Sequence, residues 1–320
     1  MVIKELLYKI LKLYYHEHLK QKEIAEKLSI SRFKVSRYLN KALNEGIVKI
    51  LINYPENVVS FSDLENKIEK KIGLKECIVV QTADDIEEIY KKMAVRLVDL
   101  LERYVRIGDY IGISWGSTLK GVVDHIDIIK NMNIKVVPMV GGVGKIGKNS
   151  QTTNIVAKIL ADKFGGINFM IHAPAVLNSV ELKKVFLKEP HINKIFKIIN
   201  RIRIALVGIS DIGSESNLLK TGVFIKEQFD YLRKKGVVGD VNLIFIDRKG
   251  EQVVTDLDDR LINFNKDDLK KIENVVGIAF GERKAEAIIS ASIGKIINIL
   301  ITDNITAKRI LKLLNRKDIY

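Results

Sequence analysis

The N-terminal part of the chain is organised around the stretch Gln21-Lys-Glu-Ile-Ala-Glu-Lys-Leu-Ser-Ile-Ser-Arg-Phe-Lys-Val-Ser-Arg-Tyr-Leu39. Its apolar residues fall at helical spacing on either side of a short polar turn. The inward-facing positions are Ile24, Ala25, Leu28, Ile30, Val35 and Leu39. Ala25 is small where a second helix must cross closely, and Ile30 can fill the space between the two helices. This pattern predicts a helix-turn-helix.

The outer face of the second predicted helix is polar and basic. Seven basic and only two acidic side chains lie between Lys20 and Lys41. Ser31 is placed to cap the helix, and in a helix-turn-helix this face enters the major groove of DNA. The alternative is an ordinary helical hairpin with a solvated basic face. The residues predicted to contact base edges, phosphates or the DNA backbone are Gln21, Ser31, Arg32, Lys34, Ser36, Arg37, Tyr38 and Lys41.

A domain boundary is expected shortly after this motif. Apolar residues at helical spacing precede the motif, and residues 47–52 change to strand character. Residues 53–57 then supply a proline and two turn-forming asparagines. We therefore predict a winged helix-turn-helix domain over residues 1–55 and a larger domain over residues 56–320.

Composition narrows the class of protein. The 320 residues carry 53 Lys and Arg against 39 Asp and Glu, a net charge of +14, which suits a polyanionic partner or else a lysine-rich surface without one. The single cysteine, Cys77, excludes an internal disulfide. The N-terminus is too often interrupted by charge for a signal peptide, and no apolar run is long enough for a membrane span. A cytoplasmic protein is expected.

From about residue 61 onward, short β-rich runs alternate with helical patterns. The predicted strands are 77–80, 110–114, 134–140, 204–208, 275–279 and 296–301, and the predicted helices include 61–72, 86–104, 152–164, 285–293 and 306–314. Such alternation predicts an α/β fold with a mostly parallel sheet covered by helices on both faces. Ligands of such sheets bind beyond the carboxyl ends of the strands, so the loops there hold the candidate residues.

One strand-end loop has the composition of an anion site. The strand at residues 110–114 continues into Trp115-Gly-Ser-Thr-Leu119 and then a helical pattern. Gly116 permits close approach, Ser117 and Thr118 offer hydroxyls, and the helix start offers free N–H groups, a combination that suits phosphate. A helix-capping turn without a ligand is equally consistent. At two other strand ends, Asp240 is a candidate acceptor for sugar hydroxyls and Lys284 a candidate cation for phosphate, although each residue alone fits ordinary surface structure.

Signatures of cofactors and catalysis are sparse. Gly142-x-Gly144-x-x-Gly147 resembles a dinucleotide fingerprint, but no helix pattern begins until after Ser150 and no acidic residue follows at the required strand end. A flexible loop on the sugar side of a ligand fits better. The five histidines are scattered, and no Gly-x-Ser-x-Gly nucleophile motif occurs. We therefore predict no cofactor, no metal site and no catalytic residues.

These features together resemble the SorC family of bacterial transcriptional regulators, the sugar-binding branch of the DeoR-like regulators, over nearly the whole chain. The resemblance is carried by Gln21-Lys-Glu-Ile-Ala, Ser31-Arg-x-x-Val-Ser-Arg37, Gly46-Ile-Val48, Gly112-Ile-Ser-Trp-Gly-Ser-Thr-Leu119, Gly141-Gly142, Ala173-Pro174, Gly239-Asp240, residues 281–287, Ile301-Thr-Asp303 and Thr306-Ala307. It implies a C-terminal fold shared with sugar-phosphate isomerases and CoA transferases, a phosphorylated sugar as effector, and a homo-oligomer, dimeric or tetrameric, on operator DNA.

The resemblance also implies roles for individual residues. Gly116, Ser117 and Thr118 would hold the phosphate, and Asp240 and Lys284 would complete the pocket. Gly141, Gly142 and Gln151 would line the sugar side. Val140 stands where a relative that captures an aldehyde sugar as a Schiff base carries lysine, so reversible binding is expected.

The sequence thus predicts a transcriptional regulator of a carbohydrate-metabolism operon, and we expect it to be a repressor. The effector is expected to control its affinity for DNA. Two alternatives stay open. One is a sugar-phosphate enzyme of isomerase type with an appended DNA-binding segment, for which Asp240 is the obvious candidate base. The other is a constitutive DNA-binding protein whose large domain only oligomerises.

Overall fold

The computed structural model describes residues 2–50, 60–129, 132–143, 153–213, 216–220, 222 and 224–316. Contacts between Cα atoms divide the chain into two compact units, Met1–Ser60 and Phe61–Tyr320. The predicted boundary after residue 55 falls within residues 51–59, which lie outside the described residues, so its position stays a prediction.

The first unit is helical. It comprises α1 (Val2–Leu11), a π-helical turn (Lys12–His16), α2 (Gln21–Lys27) and α3 (Arg32–Asn44). Its core contains the predicted inner positions Ile24, Ala25, Val35 and Leu39, all buried. In the turn between α2 and α3, Ser29 adopts φ +51°, the left-handed region where glycine is more common. The helix-turn-helix pattern is therefore present as predicted.

Two expectations for this unit need comment. Residues 47–50 form no strand, whereas residues 51 and 52 of the predicted wing strand lie outside the described part, so the wing stays a prediction. The expectation for Tyr38 is wrong. Tyr38 was expected to face solvent, but its side chain is buried among the apolar residues of the unit. It falls three residues after Val35 and next to Leu39, so the helical period directs it inward.

The second unit is an α/β domain. Its helices are α4 (Ser62–Ile72), α5 (Ile86–Tyr104), α6 (Ser117–Asp124), α7 (Thr153–Lys163), α8 (Val180–Lys188), α9 (Pro190–Lys197), α10 (Asn217–Lys220), α11 (Lys226–Lys234), α12 (Lys266–Leu269), α13 (Ala285–Ile293) and α14 (Asn304–Leu314). Its strands are β1 (Glu76–Val80), β2 (Tyr110–Ile113), β3 (Lys135–Pro138), β4 (Ile167–Asn168), β5 (Ile202–Asp211), β6 (Gly239–Val241), β7 (Ile244–Ile246), β8 (Asn274–Ile278) and β9 (Ile299–Asp303).

The main sheet is parallel, as predicted. Its strand order is β1-β9-β8-β5-β2-β3-β4, and β6 and β7 add an antiparallel extension to the end of β5. Both faces of the sheet are covered. Alternate residues of β5 show this, because Ala205 and Val207 belong to one apolar core and Ile204 and Leu206 to the other.

The β1 border of the sheet is capped by side chains. Two carboxylates on α4 accept hydrogen bonds from alternate backbone N–H groups of β1: Glu69 Oε1 from Cys77 at 2.8 Å, and Glu65 Oε1 from Val79 at 2.8 Å. Within the part of the chain that the structure describes, β1 pairs only with β9, so these N–H groups point away from the sheet. Burial is the main cause that raises the pKa of Glu65. The two glutamates, four residues apart, thus occupy the positions a further strand would take.

Glu65→Ala is expected to lower the free energy of unfolding by about 1–3 kcal/mol, because it leaves the Val79 N–H without an acceptor at a partly buried site. Urea denaturation followed by circular dichroism measures the change. Glu65→Gln, which keeps an acceptor oxygen, and Glu102→Ala, on an exposed position of α5, serve as controls. A Glu65→Ala protein as stable as Glu102→Ala would contradict a role for this cap.

Candidate functional sites

The solvent face of α3 carries most of the predicted DNA-binding residues. Ser31 is the N-cap, and its Oγ accepts a hydrogen bond from the Lys34 N–H at 3.2 Å. Arg32 and Arg37 are exposed, and Lys34 and Ser36 are half-buried. The positive end of the helix dipole adds to the charge of these side chains at the start of the helix. The face is therefore positively charged, which favours contact with an anion.

A groove extends this face to the start of α2. Its volume is about 720 Å³, and Arg32 lines it together with Lys20, Gln21, Lys22 and Tyr14. The predicted residues Gln21 and Arg32 therefore lie on one continuous basic surface, although they belong to two helices that a turn of four residues separates.

Three features of this face differ from the sequence-based picture. The buried Tyr38 side chain does not belong to the exposed surface. Lys41 is within 3.7 Å of Glu45, so part of its charge is already balanced. Phe33, which was not singled out, is 77% exposed between Arg32 and Lys34. A helical wheel places it on the outer face, but its apolar character gave no reason to name it.

In the second unit, the predicted anion turn lies at the carboxyl end of β2. Gly116 is the N-cap of α6 with φ +131°, a conformation that L residues with a Cβ rarely adopt. Ser117 is half-buried and Thr118 is buried in the first turn of α6. Glycine is therefore needed at position 116 for the chain to turn from β2 into α6. This turn places the start of α6 beside residues from neighbouring strands.

Asp240 lies on β6, directly opposite Ser210 of β5, and is buried. Its Oδ2 accepts a hydrogen bond from the Leu243 N–H at 3.1 Å, while its Oδ1 is buried without a hydrogen-bond partner. The β6–β7 turn has two residues, Asn242 and Leu243, at φ +55° and +62°. Asp240 thus stabilises an unusual hairpin turn with one of its two carboxylate oxygens.

The Asn242 side chain fixes this hairpin against the strand ends. It accepts a hydrogen bond from Ser114 Oγ at 2.7 Å, and its Nδ2 donates to the carbonyls of Met139 and Phe264 at 3.2 and 2.9 Å. These bonds join the segment after β2 to the segment after β3. They explain how a leucine is held at positive φ in the turn.

Lys284 completes the charged cluster. It is buried at the end of a 3₁₀ turn (Glu282–Lys284), and Arg283 of the same turn lies 3.6 Å from Asp211 at the end of β5. Burial lowers the pKa of Lys284 to about 8, against the raising influence of Asp211 and Asp240. Burial likewise raises the pKa of Asp240 to about 7. The cluster therefore holds two groups that change charge close to neutral pH.

Five predicted residues line one cavity: Gly116, Ser117, Thr118, Asp240 and Lys284. Ser210 and Gly208 from β5 line it as well. The cavity has a volume of only about 10 Å³, which is about the space that one water molecule needs. The site is thus assembled from residues on or after four different strands, β2, β5, β6 and β8, and its cavity is small.

The glycine pair is placed differently. Gly141 and Gly142 do not line this cavity; the Gly142 N–H donates to the Ala173 carbonyl at 2.8 Å. A Cβ on Gly141 would come within 2.7 Å of the Pro174 carbonyl oxygen, so packing alone demands glycine there. Gln151 lies outside the described residues. The effector roles of these three residues stay predictions.

Both units of the chain resemble parts of known proteins. Residues 56–312 match the family described as "Putative sugar-binding domain", and residues 7–45 match sigma-70 region 4. The sorbitol operon regulator of Klebsiella pneumoniae is 30% identical, over 96% of this chain and 98% of that protein. The crystal structure of the full-length regulator SorC from the same organism superposes with a TM-score of 0.73, covering 96% of this chain and 98% of that one. This chain belongs to the SorC family.

Other relatives agree with that assignment. The deoxyribonucleoside regulator of Bacillus subtilis (strain 168) is 30% identical over 93% of this chain and 94% of that protein. This SorC-family chain is accordingly a DNA-binding transcriptional regulator with a sugar-binding domain. Among the helices in the described part of the chain, none combines the length and hydrophobicity that a membrane crossing requires.

Proposed function

We propose that this SorC-family regulator binds a phosphorylated sugar reversibly at the cluster of Asp240 and Lys284 and that the sugar changes its affinity for operator DNA. The observation that carries the proposal is a buried lysine and a buried, unpartnered carboxylate oxygen beside the glycine-initiated start of α6. A buried cation and free helix N–H groups suit a phosphate, and a carboxylate acceptor suits sugar hydroxyls.

The roles divide by chemistry. The Ser117 and Thr118 hydroxyls, the N–H groups that follow Gly116 and the Lys284 ammonium would bind the phosphate oxygens. Asp240 Oδ1 would accept a hydrogen bond from a sugar hydroxyl. Gly141, Gly142 and Gln151 would flank the sugar. Val140 is fully buried in the core, so this position supplies no amine for a Schiff base, which favours reversible binding.

The small volume of the cavity suggests how effector binding could change the protein. A space of about 10 Å³ is too small for a sugar phosphate, and we propose that the loops around it move apart when one binds. An effector that binds only the open arrangement shifts the population toward it, and it changes DNA affinity if the two arrangements bind DNA unequally. We propose such a shift within a cytoplasmic homo-oligomer, dimer or tetramer, that represses a carbohydrate operon.

On the DNA side, we propose that α3 enters the major groove. Arg32, Lys34, Ser36 and Arg37 would lie near base edges or the phosphates beside them, and Gln21, Ser31 and Lys41 would contact the backbone. The hydroxyl proton of Ser31 is available for a phosphate, because its Oγ serves the helix cap only as an acceptor. Tyr38 keeps at most a supporting role, since its ring packs in the core.

We also propose that the protein does not turn over its ligand. Its relatives are named as regulators, and a signal is read most simply when the ligand leaves unchanged. The pKa of Asp240 is raised to about 7, a value that suits a general base. Asp240 is therefore the residue on which the enzymatic alternative depends. Incubating the full-length protein with each bound sugar phosphate and following isomerisation by NMR decides between the two.

The main test uses the full-length protein and a panel of triose, pentose and hexose phosphates, with each free sugar and inorganic phosphate for comparison. At least one sugar phosphate is expected to raise the melting temperature and to change the affinity for a duplex selected from a random DNA pool by at least fivefold. Free sugars are expected to have a much smaller effect. Failure of every sugar phosphate to shift melting or DNA affinity would overturn the proposed effector class.

A further inference from the structure

Phe33 is an aromatic side chain displayed on a basic surface. It is the second residue of α3 and is 77% exposed, the largest exposed fraction among the hydrophobic side chains described in the first unit. Arg32 and Lys34 flank it in sequence, and Arg37 lies one helical turn further along the same face. The ring therefore lies exposed on the basic face of α3, with Arg37 on the same side of the helix.

Two physical facts limit what this ring can contact. The surrounding cations favour a polyanion over an apolar protein partner. The residues at the start of a recognition helix are those that reach base edges when the helix lies in the major groove. In that groove the thymine C5-methyl group is the apolar feature, and the other readable positions are hydrogen-bond donors and acceptors.

We propose that Phe33 reads a thymine by contact between its ring and the C5-methyl group. The inference rests on the proposed docking of α3 in the major groove and adds a base identity to it. Arg32 and Arg37 would anchor the helix on either side and thereby hold the ring at base level. Phe33 would then be a specificity-determining residue, whereas its neighbours supply charge.

The expected effects are set by apolar contact. Removing one methyl group from such a contact costs about a fourfold loss of affinity. Removing the ring loses the contact with that methyl and with the neighbouring base edges, so Phe33→Ala is expected to weaken binding about tenfold or more. Phe33→Leu keeps an apolar group and is expected to retain part of the preference.

The experiment replaces thymines by deoxyuridine, one at a time, in a duplex selected by the full-length wild-type protein. For the wild type, one replacement in each half-site is expected to reduce affinity about fourfold. Phe33→Ala is expected to bind more weakly and to be indifferent to that replacement. Tyr231→Ala, which removes an exposed aromatic side chain from α11 in the other unit, is the matched control and is expected to behave as wild type.

The outcomes are separable. Wild-type indifference to the loss of every thymine methyl overturns the assignment while DNA binding itself stands. The assignment is also overturned if the affinity of Phe33→Ala still depends on the thymine methyl group as strongly as that of the wild type. DNA bending that is lost in Phe33→Ala, without any methyl dependence, would instead indicate a wedge between base pairs. Failure of the wild type to select any duplex would overturn the docking of α3 and this inference together.

Discussion

Lys284→Met is expected to weaken sugar-phosphate binding roughly 10- to 100-fold and to leave operator binding intact but unresponsive to the effector. The buried ammonium is the cation placed beside the start of α6, and losing a hydrogen bond to a charged group costs about 1.5–3 kcal/mol. Methionine has a similar volume and carries no charge. Because burial already disfavours the lysine cation, the substitution is not expected to prevent folding.

The measurement is isothermal titration with the sugar phosphate that gives the largest thermal shift, together with operator binding in its presence and absence. Lys308→Met, on an exposed position of α14, is the matched control and is expected to bind as wild type. A Lys284→Met protein that binds operator normally and still responds fully to the effector would contradict the role of Lys284.

The Lys284→Met variant also tests how the affinity for the sugar phosphate depends on pH. The pKa of Lys284 is about 8, so wild-type affinity is expected to fall as the pH rises above about 8 and the ammonium is lost. Asp240, with a pKa of about 7, becomes protonated below that pH and loses its negative charge, so affinity is also expected to change there. Asp211 and Arg283 are the other charged groups around the pair. Lys284→Met should lack the alkaline limb, and Asp240→Asn should lack the limb near pH 7.

Arg32→Ala and Arg37→Ala are each expected to reduce operator affinity about 10- to 100-fold at physiological salt. An arginine that contacts phosphate contributes about one unit to the slope of log affinity against log salt, so each variant should bind with a shallower slope. Lys41→Ala is expected to have a smaller effect, because Glu45 already balances part of the lysine charge.

Electrophoretic mobility shifts at several salt concentrations provide both quantities. Arg106→Ala, an exposed arginine of the second unit, is the control that changes net charge without touching α3. Unchanged affinity and unchanged slope for both Arg32→Ala and Arg37→Ala would remove this helix face from the DNA contact surface.

Helical and strand periodicity accounts for most of what was predictable. The helix over residues 86–104 and that over residues 285–293 have the predicted bounds, because each is a long amphipathic or buried run with clear ends. The parallel sheet follows from the alternation of such runs with apolar strands. The residues of the predicted anion turn stand out in the sequence because glycine and hydroxyl side chains at a strand end are chemically specific.

What was missed has local physical reasons. Tyr38 is expected on the solvent face with its basic neighbours, although its position in the helical period is an inner one. The β6–β7 hairpin was not predicted, since Asn242-Leu243 lacks the glycine usual at a turn with two positive φ values. Asp211 and Arg283 join the cluster through folding, and no spacing in the sequence connects residues 72 positions apart.

The carboxylates of Glu65 and Glu69 have a consequence for how copies of this chain can meet. They fill the backbone donors along one border of the sheet, and the strand at the opposite border, β4, has only two residues. As far as the described residues show, neither border of the main sheet then provides an extended template on which a neighbouring molecule could continue the sheet. Subunits that associate would do so through side-chain surfaces, and crowded copies would have little backbone from which to start a fibril.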